Sequence, residues 1–168
     1  MKLITHGDDH LLLLTTDPSE TECIGSLLSQ EFCSEAVVLL EGDLGTGKTI
    51  FARGMARGLG VTRRVPSPTY TFIVEYPEVV PPFFHIDLYR LADYYGLHDG
   101  LGLDDYLNRG AVVAVEWPNN SGVMPVANII KVRFEHIGEC ERHLSMSAVG
   151  TNEVQILRAN VECQQRCL

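Results

Sequence analysis

The run Gly42-Asp43-Leu44-Gly45-Thr46-Gly47-Lys48-Thr49 meets the pattern G-x-x-x-x-G-K-[ST] at every fixed position. Its residue types do what a polyphosphate needs. Glycines let backbone N–H groups curl around phosphate oxygens with no Cβ in the way. A helix starting here offers its N-terminus, about half a positive charge, to the same anion. Lys48 brings an ammonium to the β- and γ-phosphates, and the Thr49 hydroxyl is placed to ligate Mg2+. The chemistry indicated is the binding of a nucleoside triphosphate.

Hydrolysis or transfer of a phosphoryl group also requires a carboxylate at the end of a neighbouring strand, to hold the metal and order a water or an acceptor. Asp87 closes PPFFHID and Glu116 closes AVVAVE. On an extended strand His85, Asp87 and Tyr89 share one face, and Phe84, Ile86 and Leu88 the other. Spacing does not rank the two acids, and either could instead pair with Arg90 or Arg53. A third segment, VPSPTYTF, delivers Ser67 and Thr69 on a stretch stiffened by two prolines. In phosphate-loop proteins this position often senses the γ-phosphate. A plain proline turn entering a strand accounts for the same residues.

Elements must hold these groups in place. Val37–Leu40 is a continuous apolar run, the mark of a strand covered on both faces. A helix is predicted from Gly47 to Leu59, closed by Gly60. Before them, Leu11–Thr15 reads as the first strand, followed by a helix capped by Thr16 or Asp17 with Pro18 at its start. TYTFIVEY and FFHIDLYR read as strands, and AVVAVEW as a second buried one. Leu91–Leu107 reads as helix broken by Gly96, Gly100 and Gly102. NIIKVRFEHI and RHLSMSAV alternate as a hairpin around Gly138, and residues 151–162 read as a terminal helix. The order implies an α/β fold with a mainly parallel central sheet and an antiparallel addition near the C-terminus.

Bulk properties narrow the class. A chain of 168 residues, 45% hydrophobic and 21% charged, is expected to form a single domain spanning 1–168. No apolar run reaches the ~20 residues of a membrane span. The stretch MKLITHGDDHLLLL fits neither a secretory nor a transit leader, so a cytoplasmic protein is expected. Five scattered cysteines without a CxxC pair read as reduced thiols; Cys163 and Cys167 share a face if the tail is helical, yet two thiols make a poor metal site. Net charge is −9, which opposes unaided nucleic-acid binding. Between Glu41 and Arg64, five basic residues outnumber two acidic ones, which places positive charge beside the glycine loop.

Taken together, GDLGTGKTIFARGMARGLGV, VPSPTYTFIVEY, FFHIDLYRL, LGLDDYL and VVAVEWPNNSGVMP resemble the TsaE (YjeE) ATPases of threonylcarbamoyladenosine synthesis in tRNA. They lie in family order over about residues 36–125. A phosphate loop alone is common; SPT, H-x-D-x-Y-R and E-W-P in this order are far more specific. The resemblance implies a three-layer P-loop NTPase-like domain that binds ATP and Mg2+. Hydrolysis is then weak alone and stimulated by TsaB-like and TsaD-like partners, with tRNA met only through that pair.

By motif, the resemblance implies that residues from Gly42 to Ile50 bind ATP. Lys48, Asp87 and Glu116 are catalytic, Thr49, Asp87 and Glu116 meet the metal, and Ser67 and Thr69 form a switch-like segment. Trp117 lies near the site, in packing or in direct contact. Ile50 stands where the family often has a second threonine, so a side-chain contact to the α-phosphate is missing. LADYYGLHDG replaces an acidic helix that begins with proline. Two rivals remain. A small-molecule or nucleotide kinase would want an Arg-rich lid, but only Arg109 falls between Arg90 and Lys131. A nucleotide-dependent binding module with incidental hydrolysis would keep the same loop. A GTPase lacks its N-K-x-D motif here.

Overall fold

The strand that leads into Gly42 lies inside an eight-stranded sheet, with parallel neighbours on both sides. The computed structural model describes residues 1–6, 10–93, 102–120, 129–138 and 140–149. Its strands are β1 (Lys2–His6), β2 (His10–Thr15), β3 (Ala36–Glu41), β4 (Ile73–Tyr76), β5 (Phe83–Asp87), β6 (Val112–Glu116), β7 (Ile129–His136) and β8 (Arg142–Val149). The helices are α1 (Pro18–Ser29), α2 (Lys48–Gly58) and α3 (Leu103–Leu107), with 3-10 turns at Tyr89–Asp93 and Pro118–Asn120. Across the sheet the order is β1-β2-β8-β7-β3-β6-β5-β4. The centre, β7-β3-β6-β5, is parallel. β4 joins antiparallel at one edge, and β8, β2 and β1 at the other.

Parallel strands need cover on both faces, and β3 shows how it is supplied. Val38 and Leu40 pack towards Ile24 and Leu28 of α1 and Phe51 and Met55 of α2. Val37 and Leu39 face the opposite way, into a second core with Leu88 and with Leu91 and Leu103 from the short helical pieces. Helices, sheet and shorter helices make three layers of a P-loop NTPase-like α/β fold.

Asp17, not Thr16, caps α1: its carboxylate accepts the Ser19 N–H at 2.7 Å, with Pro18 at the first position. α1 and α2 pack backbone against backbone. A Cβ built on Gly54 would lie 2.0 Å from the Glu22 carbonyl oxygen of α1. Alanine in mid-helix normally gains about 1 kcal/mol over glycine. Here the contact outweighs that gain, and Gly54→Ala is expected to destabilise the protein by about 1–3 kcal/mol net. Urea unfolding should show a lower midpoint with unchanged slope; a midpoint at or above wild type contradicts the close approach.

Several expectations change. Leu11–Thr15 belongs to the second strand, because Lys2–His6 pairs outside it as a bulged edge strand. TYTFIVEY is strand only from Ile73. The N–H groups of Thr71 and Phe72 turn back to the Pro68 carbonyl at 3.0 and 2.7 Å, and Phe72 sits at φ 63. A chain whose amides are already bonded within a turn has none for a ladder. Of Leu91–Leu107, the described residues form the end of a 3-10 turn and the five residues of α3. The β7–β8 hairpin forms as expected, with His136 opposite Arg142. The predicted terminal helix and Cys163 and Cys167 lie outside the described residues.

Candidate functional site

The loop after β3 is shaped by its own groups. Gly42, at φ 140, brings the chain so near β7 that a Cβ there would be 2.5 Å from the Phe134 carbonyl oxygen. Only glycine fits this backbone angle and this approach. Thr46 is buried and donates its hydroxyl to the Asp43 carbonyl at 2.8 Å. Lys48 opens α2 and curls back, its Nζ donating to the carbonyls of Gly42 and Asp43, both at 2.7 Å. Leu44 projects from the tip, 70% exposed.

Parallel register brings the acids to this loop. Leu40 of β3 pairs with Glu116 of β6, and Glu116 pairs with Asp87 of β5. Both carboxylates therefore sit at one level, at the carboxyl ends of the strands, where open α/β sheets bind ligands. Each is 3% exposed. Glu116 accepts the Thr49 hydroxyl, 2.8 Å to Oε1 and 3.1 Å to Oε2, and Oε1 lies 2.9 Å from His85 Nε2. Asp87 accepts the Thr69 hydroxyl at 2.5 Å and the Tyr89 N–H at 2.9 Å. Ser67 reaches the same point through Thr69, at 2.8 Å. The proline-stiffened segment thus touches an acid directly. Neither acid pairs with Arg53 or Arg90; the Arg90 guanidinium lies over the Tyr70 ring instead, 5.2 Å from its centroid.

Trp117 follows Glu116 at φ 58, a left-handed angle that costs a bulky residue on the order of 1 kcal/mol or more. The turn places its indole beneath the Lys48 ammonium, 4.2 Å from Nζ to the ring centroid, with the Tyr89 ring 5.0 Å away. Burial pushes the Lys48 pKa down, and the nearby carboxylates of Glu116, Asp87 and Asp43 work the other way. Two enclosed carboxylates and one ammonium leave this cluster a positive charge short, and a divalent cation between hydroxyl, carboxylates and phosphate fits that deficit. The described residues hold no cluster of three metal-binding His, Cys, Asp or Glu side chains. Mg2+ does not need one, since one or two carboxylates plus phosphates and waters suffice.

These groups enclose a cleft of about 230 Å³. Of the residues singled out from the sequence, Leu44, Gly45, Gly47, Lys48, Thr49 and Ile50 line it from the loop side, and Thr69, Asp87, Glu116 and Trp117 from the other. Gly42, Asp43, Thr46 and Ser67 stand behind them and hold the loop or Thr69. One expectation fails. The basic residues after the loop do not gather at it: at about 1.5 Å per residue, α2 carries Arg57 roughly 13 Å along its axis from Lys48. There Arg57 donates to the carbonyls of Val61 and Thr62, and Arg63 pairs with Glu78 at 2.7 Å. Among the described residues, Lys48 is the cation that lines the cleft.

Three residues went unassigned in the sequence. His85 was legible as a face-mate of Asp87 on β5; the same alternation does not place Tyr89, because the strand ends at Asp87 and Tyr89 opens a 3-10 turn. Arg142, 7% exposed, lies beside Gly47 and donates to the Thr21 hydroxyl at 3.3 Å; nothing local marked it, because it arrives from β8.

Comparison with known proteins shows the family and the fold. The family model described as "Threonylcarbamoyl adenosine biosynthesis protein TsaE" matches residues 15–144. The chain is 40% identical over 136 residues to the tRNA threonylcarbamoyladenosine biosynthesis protein TsaE of Bacillus subtilis, covering 81% of this chain and 84% of that one. It is 37% identical over 122 residues to the protein of that name from Nostoc, covering 70% and 74%. The crystal structure of Bacillus subtilis YdiB superposes with a TM-score of 0.76 at 34% identity, over 96% of this chain and 99% of that one.

Proposed function

The chain belongs to the TsaE family, and from that premise we propose that it is the Mg2+-dependent ATP-binding and ATP-hydrolysing subunit that supports threonylcarbamoyladenosine modification of tRNA by a TsaB–TsaD-type pair. The names of its relatives carry the pathway. One observation carries the chemistry: a complete phosphate loop faces two buried carboxylates on adjacent parallel strands, with Thr49 already bonded to Glu116.

On this reading Lys48 exchanges two loop carbonyls for phosphate oxygens, trading neutral acceptors for charged ones. The Thr49 hydroxyl would exchange Glu116 for the metal. Thr49, Asp87 and Glu116 would hold Mg2+, which would supply positive charge to the phosphates. Asp87, fixed by Thr69 and the Tyr89 N–H, and Glu116 share the tasks of holding the ion and ordering the attacking water. Coupling of Thr69 to Asp87 links the proline-stiffened segment to the state of the γ-phosphate. Trp117 and Tyr89 line the cleft beside the Lys48 ammonium. The net charge of −9 suits a subunit that leaves tRNA to its partners and works in the cytoplasm. No helix among the described residues is long and apolar enough to cross a membrane.

A kinase is the weaker reading, since no arginine among the described residues lines the cleft. Phosphate release from ATP and Mg2+, measured on the purified chain and again with a TsaB–TsaD pair and tRNA, tests the proposal. Slow release that accelerates on adding the pair is expected. Phosphate appearing on a small acceptor would make the protein a kinase, and absence of acceleration would leave a binding module.

A further inference from the structure

His85 is fully enclosed at the floor of the site, with 0% exposure, yet it does not line the cleft. Its ring stacks on Phe83 at 6.4 Å. Nε2 lies 2.9 Å from Glu116 Oε1, and Nδ1 has no hydrogen-bond partner among the described residues. A tautomer with the proton on Nδ1 would bury an N–H without an acceptor and aim an Nε2 lone pair at a carboxylate. With the proton on Nε2, both faults disappear, and only a weak acceptor is left unpaired.

We propose that His85 is a positioning residue: its Nε2–H holds the Glu116 carboxylate in its working rotamer. The inference rests on the ATPase reading above and deepens it. In the structure Glu116 Oε1 is shared by Thr49 and His85. Once Thr49 turns its hydroxyl to a metal, the Glu116 side chain keeps one of these two anchors, the imidazole. Groups that orient a metal-site carboxylate from behind typically matter 10- to 100-fold. Because His85 does not reach the cleft, its loss should fall on kcat and spare nucleotide affinity.

The test compares His85→Gln, His85→Asn and His85→Leu. A glutamine amide can stand where ring Nε2 stood, whereas the shorter asparagine amide stops near Nδ1. Hydrolysis is measured with the partner pair, and affinity with a nonhydrolysable ATP analogue and Mg2+. Expected are losses of roughly 10- to 100-fold in kcat for the leucine and asparagine variants, with unchanged affinity, and near-normal turnover for glutamine. Equal losses for glutamine and asparagine, or affinity falling in step with kcat, would overturn the proposal. If the leucine variant does not fold, the glutamine–asparagine pair still decides. A long-range 1H–15N spectrum of the nucleotide-free protein reads the hydrogen bond without any activity. A proton on Nε2 is expected, and a proton on Nδ1 sinks the inference even if the protein is an ATPase. Absence of hydrolysis in the wild type would count against the functional reading alone.

Discussion

Lys48→Ala is expected to lower ATP turnover by at least about 10²-fold while the protein stays folded, since removing a preorganised cation from the reacting phosphate has effects of that size. Lys48 is the cation the described residues bring to the cleft, and no arginine among them lines it: Arg57 and Arg63 are held elsewhere by their own partners, and Arg142, beside Gly47, donates to the Thr21 hydroxyl. Stability should fall moderately, because the buried Glu116 and Asp87 carboxylates lose the cation beside them, and the loss is partly offset. The mutation removes two hydrogen bonds to loop carbonyls, but it also removes an ammonium whose burial is unfavourable enough to push its pKa down. Alanine is moreover the best helix former at the start of α2. Single-turnover phosphate release and a thermal melt check the two halves. Turnover equal to wild type would remove the phosphate-loop assignment; a collapsed melt would make Lys48 a structural residue.

Glu116→Gln should separate binding from chemistry. The amide keeps the shape of the side chain and an oxygen for the His85 and Thr49 bonds, but it loses the charge. Hydrolysis is expected to fall by about 10²–10³-fold, the range for losing a group that orders or deprotonates the nucleophile. ATP affinity in Mg2+ should persist, because the loop and Lys48 are untouched. The nucleotide-free variant should melt no lower than wild type, since one of two carboxylates that outnumber the local ammonium has been neutralised. Calorimetric titration with a nonhydrolysable analogue, alongside the kinetics, distinguishes the outcomes. Complete loss of binding would make Glu116 a metal anchor with no share in ordering the water.

Much of this site could be read along the chain because its pieces are local. The eight residues of the loop, the strand before them and the helix after them are contiguous, and each carries its own signal in glycine, apolar run or cap. Asp87 and Glu116 were likewise visible as the last residues of apolar runs, and alternation already put His85 on the side of Asp87. The limits appear wherever a role depends on a partner from elsewhere. Thr69 could have been an ordinary turn residue; the 2.5 Å bond to Asp87, eighteen positions on, distinguishes the two. Arg57 and Arg63 misled for the converse reason. Nearness in sequence is not nearness in space here, because a helix rising about 1.5 Å per residue separates them from the loop.

The sequence by itself determined the phosphate loop, the α/β class and the identities of the two acids, because spacing and residue type are properties of a short stretch of chain. The tertiary structure alone decided that Leu40, Glu116 and Asp87 stand in one parallel register, that Thr49 and His85 meet at a single carboxylate, and that Trp117 lies under the Lys48 ammonium. Register between strands far apart in sequence is set by how two cores pack on opposite faces of the sheet, and no local pattern carries that information.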